Sequence, residues 1–333
     1  MNRPFTLSDF DYNLPAELIA HKPAEPRDHS RLLVYSRETG TITDAHFYDI
    51  ASYLHPETTL VMNNSRVEKA RLLFGNKEVF ITHGHNAHTV DAMIRPGRKF
   101  KAGKDVVLSD EISAKVISVA EDGLRTLEFN LPLDHPAYEP FRHTPFPPYI
   151  DADEDLAERY QTVYAKPEGS KAAPTAGLHF TPELLDKIRE SGRRTAEVTL
   201  HVGLGTFAPV KTEQIEEHKL HSESWFLSDE TARQLNEAKH ITAVGTTTTR
   251  VLESLPSPDR TFEPGTGDTE IFIRPGYRFR NTDHMITNFH LPKSTLLMMI
   301  SAFIGYDEMR RIYDHAIREK YRFYSFGDAM LLI

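Results

Sequence analysis

Cysteine is missing from all 333 residues, which excludes disulfide staples, a thiolate nucleophile and any thiolate-held zinc or iron–sulfur centre. Long apolar runs are missing as well: the chain holds no apolar stretch of membrane-spanning length, and its start, Met1-Asn-Arg-Pro-Phe-Thr-Leu-Ser-Asp9, carries no signal-peptide core. No membrane partner is expected, and a cytoplasmic location is the natural default. Excess positive charge is absent too. A formal net charge of −9 argues against general polyanion binding, because nucleic-acid affinity comes largely from cationic contacts to phosphates. Any nucleic-acid partner must therefore use a local basic patch.

The chain has an ordinary apolar share of 39% and a length suited to roughly two domains of ~150 residues each. Arg31-Leu-Leu-Val-Tyr35 reads as a strand, Glu38-Thr-Gly40 as a turn, and Leu60-Val-Met-Asn-Asn64 as a buried strand running into polar residues. From Arg66 to Pro148 the character changes. Short strand-like runs (Val79 to Ile81, Thr89 to Ile94, Asp105 to Leu108, Ala114 to Val119, Arg125 to Phe129) are separated by glycines, which suggests a small β-barrel inserted into the larger domain. Beyond the proline-rich Thr144-Pro-Phe-Pro-Pro-Tyr149, strand–loop–helix units follow. Thr181 and Pro182 open a helix before a strand at Ala196 to Val202. A helix at Asp229 to Lys239 precedes the strand Ile241 to Val244, the run Gly245-Thr-Thr-Thr-Thr249 and a short helix from Arg250. The strand Met285 to Thr287 precedes an apolar helix from Thr295 to Ile304. The expected architecture is α/β: a mixed α/β main domain of residues 1–65 plus 149–333, and an inserted small β-barrel domain of residues 66–148. In such sheets ligands gather at the strand ends.

Polar residues cluster where those ends should lie. Pro174-Thr-Ala-Gly-Leu-His-Phe180 and His201-Val-Gly-Leu-Gly-Thr-Phe207 place histidines, glycines and threonines in short connecting loops. His179, His201 and His290 each stand beside a residue that lets backbone or amide approach a ligand (Gly177, Gly203, Asn288). Gly203-Leu-Gly-Thr-Phe-Ala208 superficially matches a dinucleotide fingerprint, but Pro209 falls where the phosphate-binding helix should propagate. Gly245 to Thr249 could cradle an anion or simply cap a helix. His83, His85 and His88 have a spacing that could hold zinc or nickel, although with no carboxylate partner nearby in sequence a solvated hairpin accounts for them. Basic residues gather as Arg66, Lys69 and Arg71, and again as Arg274, Arg278 and Arg280, either a solvated surface or an RNA-contacting edge.

Taken in order, the blocks Asp9-Phe-Asp-Tyr-Asn-Leu-Pro15, Arg27-Asp-His-Ser-Arg-Leu-Leu33, Val61-Met-Asn-Asn-Ser-Arg-Val67, Arg159-Tyr-Gln-Thr-Val-Tyr-Ala165, Ala173 to Phe180, His201 to Phe207, Glu217-His-Lys-Leu-His-Ser-Glu223, Thr287-Asn-Phe-His-Leu-Pro-Lys-Ser-Thr-Leu296 and Tyr321 to Met330 span nearly the whole chain. Together they resemble the S-adenosylmethionine:tRNA ribosyltransferase-isomerases of queuosine biosynthesis. The resemblance implies transfer and isomerisation of the ribosyl part of S-adenosylmethionine onto a 7-aminomethyl-7-deazaguanine base in a tRNA anticodon loop. The products would be an epoxycyclopentane-bearing (epoxyqueuosine) tRNA, adenine and methionine.

On that chemistry the donor's own sulfonium acidifies C5′ and later leaves, so no metal and no added cofactor is implied; S-adenosylmethionine is a co-substrate. The resemblance puts His179, His201 and His290 forward as catalytic candidates. Thr175, Gly177, Gly203, Gly205, Thr246, Thr247 and Asn288 become donor-binding candidates, and Arg66, Arg71, Arg274 and Arg278 candidate RNA contacts. Two rival readings are a relative that cleaves S-adenosylmethionine or a related nucleoside without RNA transfer, and a non-catalytic RNA-binding protein.

Overall fold

A computed structural model of the protein describes residues 4–150, 154–203, 212–218 and 220–333. The chain divides into two compact units, residues 1–66, 148–151 and 158–333 in the first and residues 67–147 and 152–157 in the second.

The first unit is built on a nine-stranded mixed sheet. Its strands run in the order Gly265–Thr269, Glu223–Leu227, Arg194–Leu200, Thr58–Asn63, His240–Val244, His284–Asn288, Ala329–Leu332, Arg31–Tyr35 and Ile42–His46. The four strands from Arg194–Leu200 to His284–Asn288 are mutually parallel, so residues 201, 64, 245 and 289 all leave the sheet along one edge. Ala329–Leu332 runs antiparallel to His284–Asn288 and parallel to Arg31–Tyr35, which brings Asp328 and Ser30 to that same edge. Period-two alternation sorts the sheet's two faces. Leu32, Val34, Ile286 and Leu331 pack on one side with Phe47, Phe180, Leu184 and Ile188; Leu33, Tyr35, Met285 and Met330 pack on the other with Leu297, Ile300 and Ile312. Such side chains contribute about 1.5–3 kcal/mol each when fully buried.

The helices cover both faces. Pro182–Glu190 starts as its sequence demands, with the Leu184 amide donating to Thr181 Oγ1 at 3.1 Å and proline in the first turn, and buries Leu184, Leu185 and Ile188. The apolar helix Thr295–Ile304 has the predicted limits and leads through Gly305 into the amphipathic Tyr306–Arg318. One expectation needs correction. The threonines after Gly245 do not precede a helix that begins at Arg250; they form its first turn, since the helix spans Thr246–Ser254. Threonine is a poor helix former, but Thr248 and Thr249 direct their hydroxyls back to the carbonyls of Val244 and Gly245, at 2.7 and 3.1 Å, within the buried strand end.

The second unit is an antiparallel seven-stranded sheet in the order Arg142–His143, Arg71–Phe74, Lys77–Gly84, Thr89–Arg95, Arg125–Phe129, Ser113–Val119 and Asp105–Val107. One face carries its core of Leu72, Val79, Val90, Val116 and Leu127, while Met93 and Ile117 stay exposed. The short predicted runs are therefore strands of one sheet. Among the described residues its two end strands are not hydrogen-bonded to each other, so a closed barrel is not confirmed.

Candidate functional site

The parallel strand ends of the first unit converge on a buried polar cluster. His179 closes the 3₁₀ turn Thr175–His179, is almost wholly buried, and stacks on Phe47 with ring centroids 4.9 Å apart. Its two nitrogens are both engaged. Asn288, the last residue of its strand, sends Nδ2 to His179 Nε2 at 3.1 Å and to the Tyr324 carbonyl at 3.2 Å. The carbonyl fixes which way the amide faces, so Nε2 is the acceptor, and Nδ1–H must donate to Ser30 Oγ at 2.7 Å. Burial, with smaller contributions from the charges of Arg322 and Arg27, lowers the His179 pKa to about 3. The ring is a neutral spacer with its basic lone pair already spent.

What the cluster leaves unspent is more informative. Asn288 Oδ1 and Thr247 Oγ1 are buried and have no hydrogen-bond partner among the described residues. A buried polar atom without a partner costs about 1–3 kcal/mol, so two on adjacent strand ends mark a place prepared for something else. Gly245 turns the chain from the strand into the helix with a φ of +93°, a conformation that favours glycine.

The other candidates are distributed along the same edge. His290 is buried, its Nε2 2.8 Å from Thr287 Oγ1, its amide donating to the Tyr313 hydroxyl at 3.0 Å and its carbonyl accepting from Tyr12; burial lowers its pKa to about 3. His201 follows Arg194–Leu200, three strands from His284–Asn288, so by ordinary strand spacing about 14 Å separates the two strand ends. Its ring packs over Gly169, where a Cβ would come within 2.8 Å of Nδ1. Thr246 and Thr247 are buried in the first helical turn, and Thr175 is half-buried at the start of its own turn. Gly203 donates its amide to Glu223 Oε1 at 2.8 Å. Gly205 lies outside the described residues. Gly177 has a different reason to be glycine than ligand approach: a Cβ there would stand 2.1 Å from the Tyr164 hydroxyl, so the space is already filled by protein.

A family model described as queuosine biosynthesis protein matches residues 7–332. The chain belongs to the queuosine biosynthesis protein family. Among its relatives, the S-adenosylmethionine:tRNA ribosyltransferase-isomerase of Thermotoga petrophila is 47% identical, with 98% of this chain and 99% of that protein covered. The protein of the same name from Symbiobacterium thermophilum is 46% identical over the same shares. Among solved structures, the crystal structure of an S-adenosylmethionine tRNA ribosyltransferase from Thermotoga maritima is similar, with a TM-score of 0.57 and 38% identity over 98% of this chain and 100% of that one. This likeness supports the mixed α/β architecture.

The proposed RNA contacts divide into two kinds. Arg66 is 2.6 Å from Glu158 and Arg71 is 2.8 Å from Glu78, so their charges are already matched. Arg278 is exposed and Arg274 lies 5.9 Å above the Phe272 ring; among the described residues neither forms an ion pair. The expectation that the His83, His85 and His88 run lacks a carboxylate is corrected, because the hairpin brings Asp91 to 2.9 Å from His85 Nε2. Among the described residues no group of histidines and carboxylates is arranged to hold a metal, and among them no helix is long and apolar enough to cross a membrane. Sequence reasoning missed Ser30, Glu223 and Arg250 as site residues. Ser30 and Glu223 sat inside matched blocks, but nothing in their spacing told that the sheet would carry them to the same edge.

Proposed function

We propose that the protein is an S-adenosylmethionine:tRNA ribosyltransferase-isomerase. It would move the ribosyl group of S-adenosylmethionine onto the aminomethyl group of a 7-deazaguanine base in a tRNA anticodon loop and form the epoxycyclopentane, with release of adenine and methionine. One observation carries the reading: relatives of that name align over almost the full length of this chain.

In this reading the donor's sulfonium supplies the activation, and the protein supplies orientation, proton transfer and exclusion of water. Asn288 Oδ1 accepts from the adenine amino group, held in place by His179 and Ser30. Thr246 and Thr247 take ribose hydroxyls, and Thr175 and Gly203 border the donor. His290 keeps the loop after Asn288 in position through Thr287. His201, at the far side of the edge, is the histidine left for proton transfer at C5′. General acid–base help of this kind is worth about 10²–10⁴-fold. The inserted unit, residues 66–148, is proposed to act as a barrel-like domain, and the half-buried Arg274 and the exposed Arg278 contact RNA, with Arg66 and Arg71 contributing less.

Incubation with S-adenosylmethionine and tRNA bearing 7-aminomethyl-7-deazaguanine, followed by nucleoside mass spectrometry, tests this. The expected result is the epoxycyclopentane nucleoside with one adenine and one methionine released per modified base. Adenine release without RNA modification would convert the reading to a donor-cleaving enzyme, and RNA binding with no donor consumption to a binding protein.

A further inference from the structure

Arg250 is the most heavily buried guanidinium of the first unit's helices, 3% exposed in the helix Thr246–Ser254. Its Nη1 donates to Glu223 Oε2, and Glu223, itself 4% exposed, is fixed on its other oxygen by the Gly203 amide at 2.8 Å. That arrangement uses one end of the guanidinium. The other edge, Nε–H and Nη2–H, meets no partner among the described residues although both nitrogens are buried. These two donors are parallel and lie on the same side of the guanidinium, the fork that grips both oxygens of a carboxylate at once. Leaving such charged donors empty inside a protein is expensive.

Arg250 lines a small pocket together with Leu220, Ile271, Phe272, Thr295 and Met299. The lining is aliphatic and aromatic apart from Arg250 and the threonine. Thr247, whose hydroxyl is also unspent, stands three residues earlier on the same helix, hence on the same face. The hydroxyl and the fork therefore share one face of the helix that starts at the strand edge.

We propose that this cavity is the subsite for the amino-acid end of the donor, with the α-carboxylate held bidentately by Arg250 Nε and Nη2 and the aliphatic arm against Phe272 and Met299. The assignment rests on the reading of the protein as an S-adenosylmethionine-dependent enzyme. Glu223 is a positioning residue: it takes Nη1 of the guanidinium and leaves the fork for the carboxylate. A lysine at this position would keep the charge beside Glu223 but lose the fork.

Equilibrium binding of S-adenosylmethionine and of its decarboxylated analogue to the intact protein is the test. Wild type should prefer the carboxylate-bearing donor by roughly 10- to 100-fold, the range for charge-assisted hydrogen bonds. Arg250→Lys should bring the two donors within a fewfold of each other. Equal binding of both donors by wild type overturns the assignment alone; binding of neither overturns the donor reading and the assignment with it. Anticodon stem-loop binding without donor should be unchanged in Arg250→Lys, and a loss there would reassign the fork to an RNA phosphate. The wild-type comparison needs no variant and holds even if Arg250→Lys folds poorly.

Discussion

Mild acid should destabilise this protein through three desolvated histidines, His179 and His290 at the strand edge and His284, whose pKa burial lowers to about 4. Burial holds the folded pKa of both His179 and His290 at about 3, against 6.5 for an exposed histidine. Below pH 6.5 the unfolded chain binds a proton at each site that the folded chain refuses, so stability falls as pH falls and keeps falling until the folded pKa is reached. Each pH unit in that window costs about 1.4 kcal/mol per histidine. Between pH 7 and pH 5, with the first half unit lying above the titration, each site loses about 2 kcal/mol. His179 and His290 together then lose about 4 kcal/mol, a large share of the 5–15 kcal/mol typical of folded proteins. Most carboxylates titrate below this window and contribute little within it. Denaturant unfolding at pH 7, 6 and 5 measures the loss. His290→Gln, which keeps a polar atom toward Thr287 but cannot titrate, should be less stable at pH 7 yet lose about 2 kcal/mol less than wild type on going to pH 5. An unchanged pH dependence in that variant would refute the reasoning, because the proton would then be binding elsewhere.

Three further expectations follow from the site. Asn288→Ala should lower kcat/KM for donor consumption by roughly 10- to 100-fold, the value of a buried hydrogen bond to substrate plus the partner left on His179, and wild-type kinetics in a folded variant would remove Asn288 from the site. Gly177→Ala should cost about 1–3 kcal/mol by driving a methyl into the Tyr164 hydroxyl, and adding Tyr164→Phe should recover part of it in a thermal melt; no recovery would place the strain in the backbone instead. Arg278→Ala should flatten the salt dependence of tRNA binding by roughly 0.7–0.9 per lost phosphate contact, whereas Arg71→Ala, whose cation is already matched by Glu78, should change it less. Equal slopes for the two variants would count against Arg274 and Arg278 as the RNA edge.

Elements with strong local signals were legible in the chain itself. Arg31–Tyr35 alternates between two packed faces, Thr181-Pro182 announces a helix start, and Arg125–Phe129 has the predicted ends. The threonine run was misread because propensity disfavours a helix there, and the hydroxyl bonds of Thr248 and Thr249 that permit it depend on the buried strand end. The histidine and asparagine motifs fall along one strand edge, as their position after strands implied, but their local sequence does not say what each does. His179 looks like a base in sequence; it becomes a spacer once Asn288 and Tyr324 determine its protonated nitrogen. Gly177 looks like a ligand contact until Tyr164, thirteen residues earlier, is seen in its space. Arg250 carried no local signal, since its value lies in an ion pair to a residue 27 positions away and in the donors that pair leaves empty.

The strand Ala329–Leu332 sits between His284–Asn288 and Arg31–Tyr35, inside the sheet rather than at its rim. Ser30 and Asn288, which grip His179 from opposite sides, therefore belong to two halves of the sheet that are stitched together by this one strand. Loss of these few residues would separate the two hands on that histidine without touching either of them.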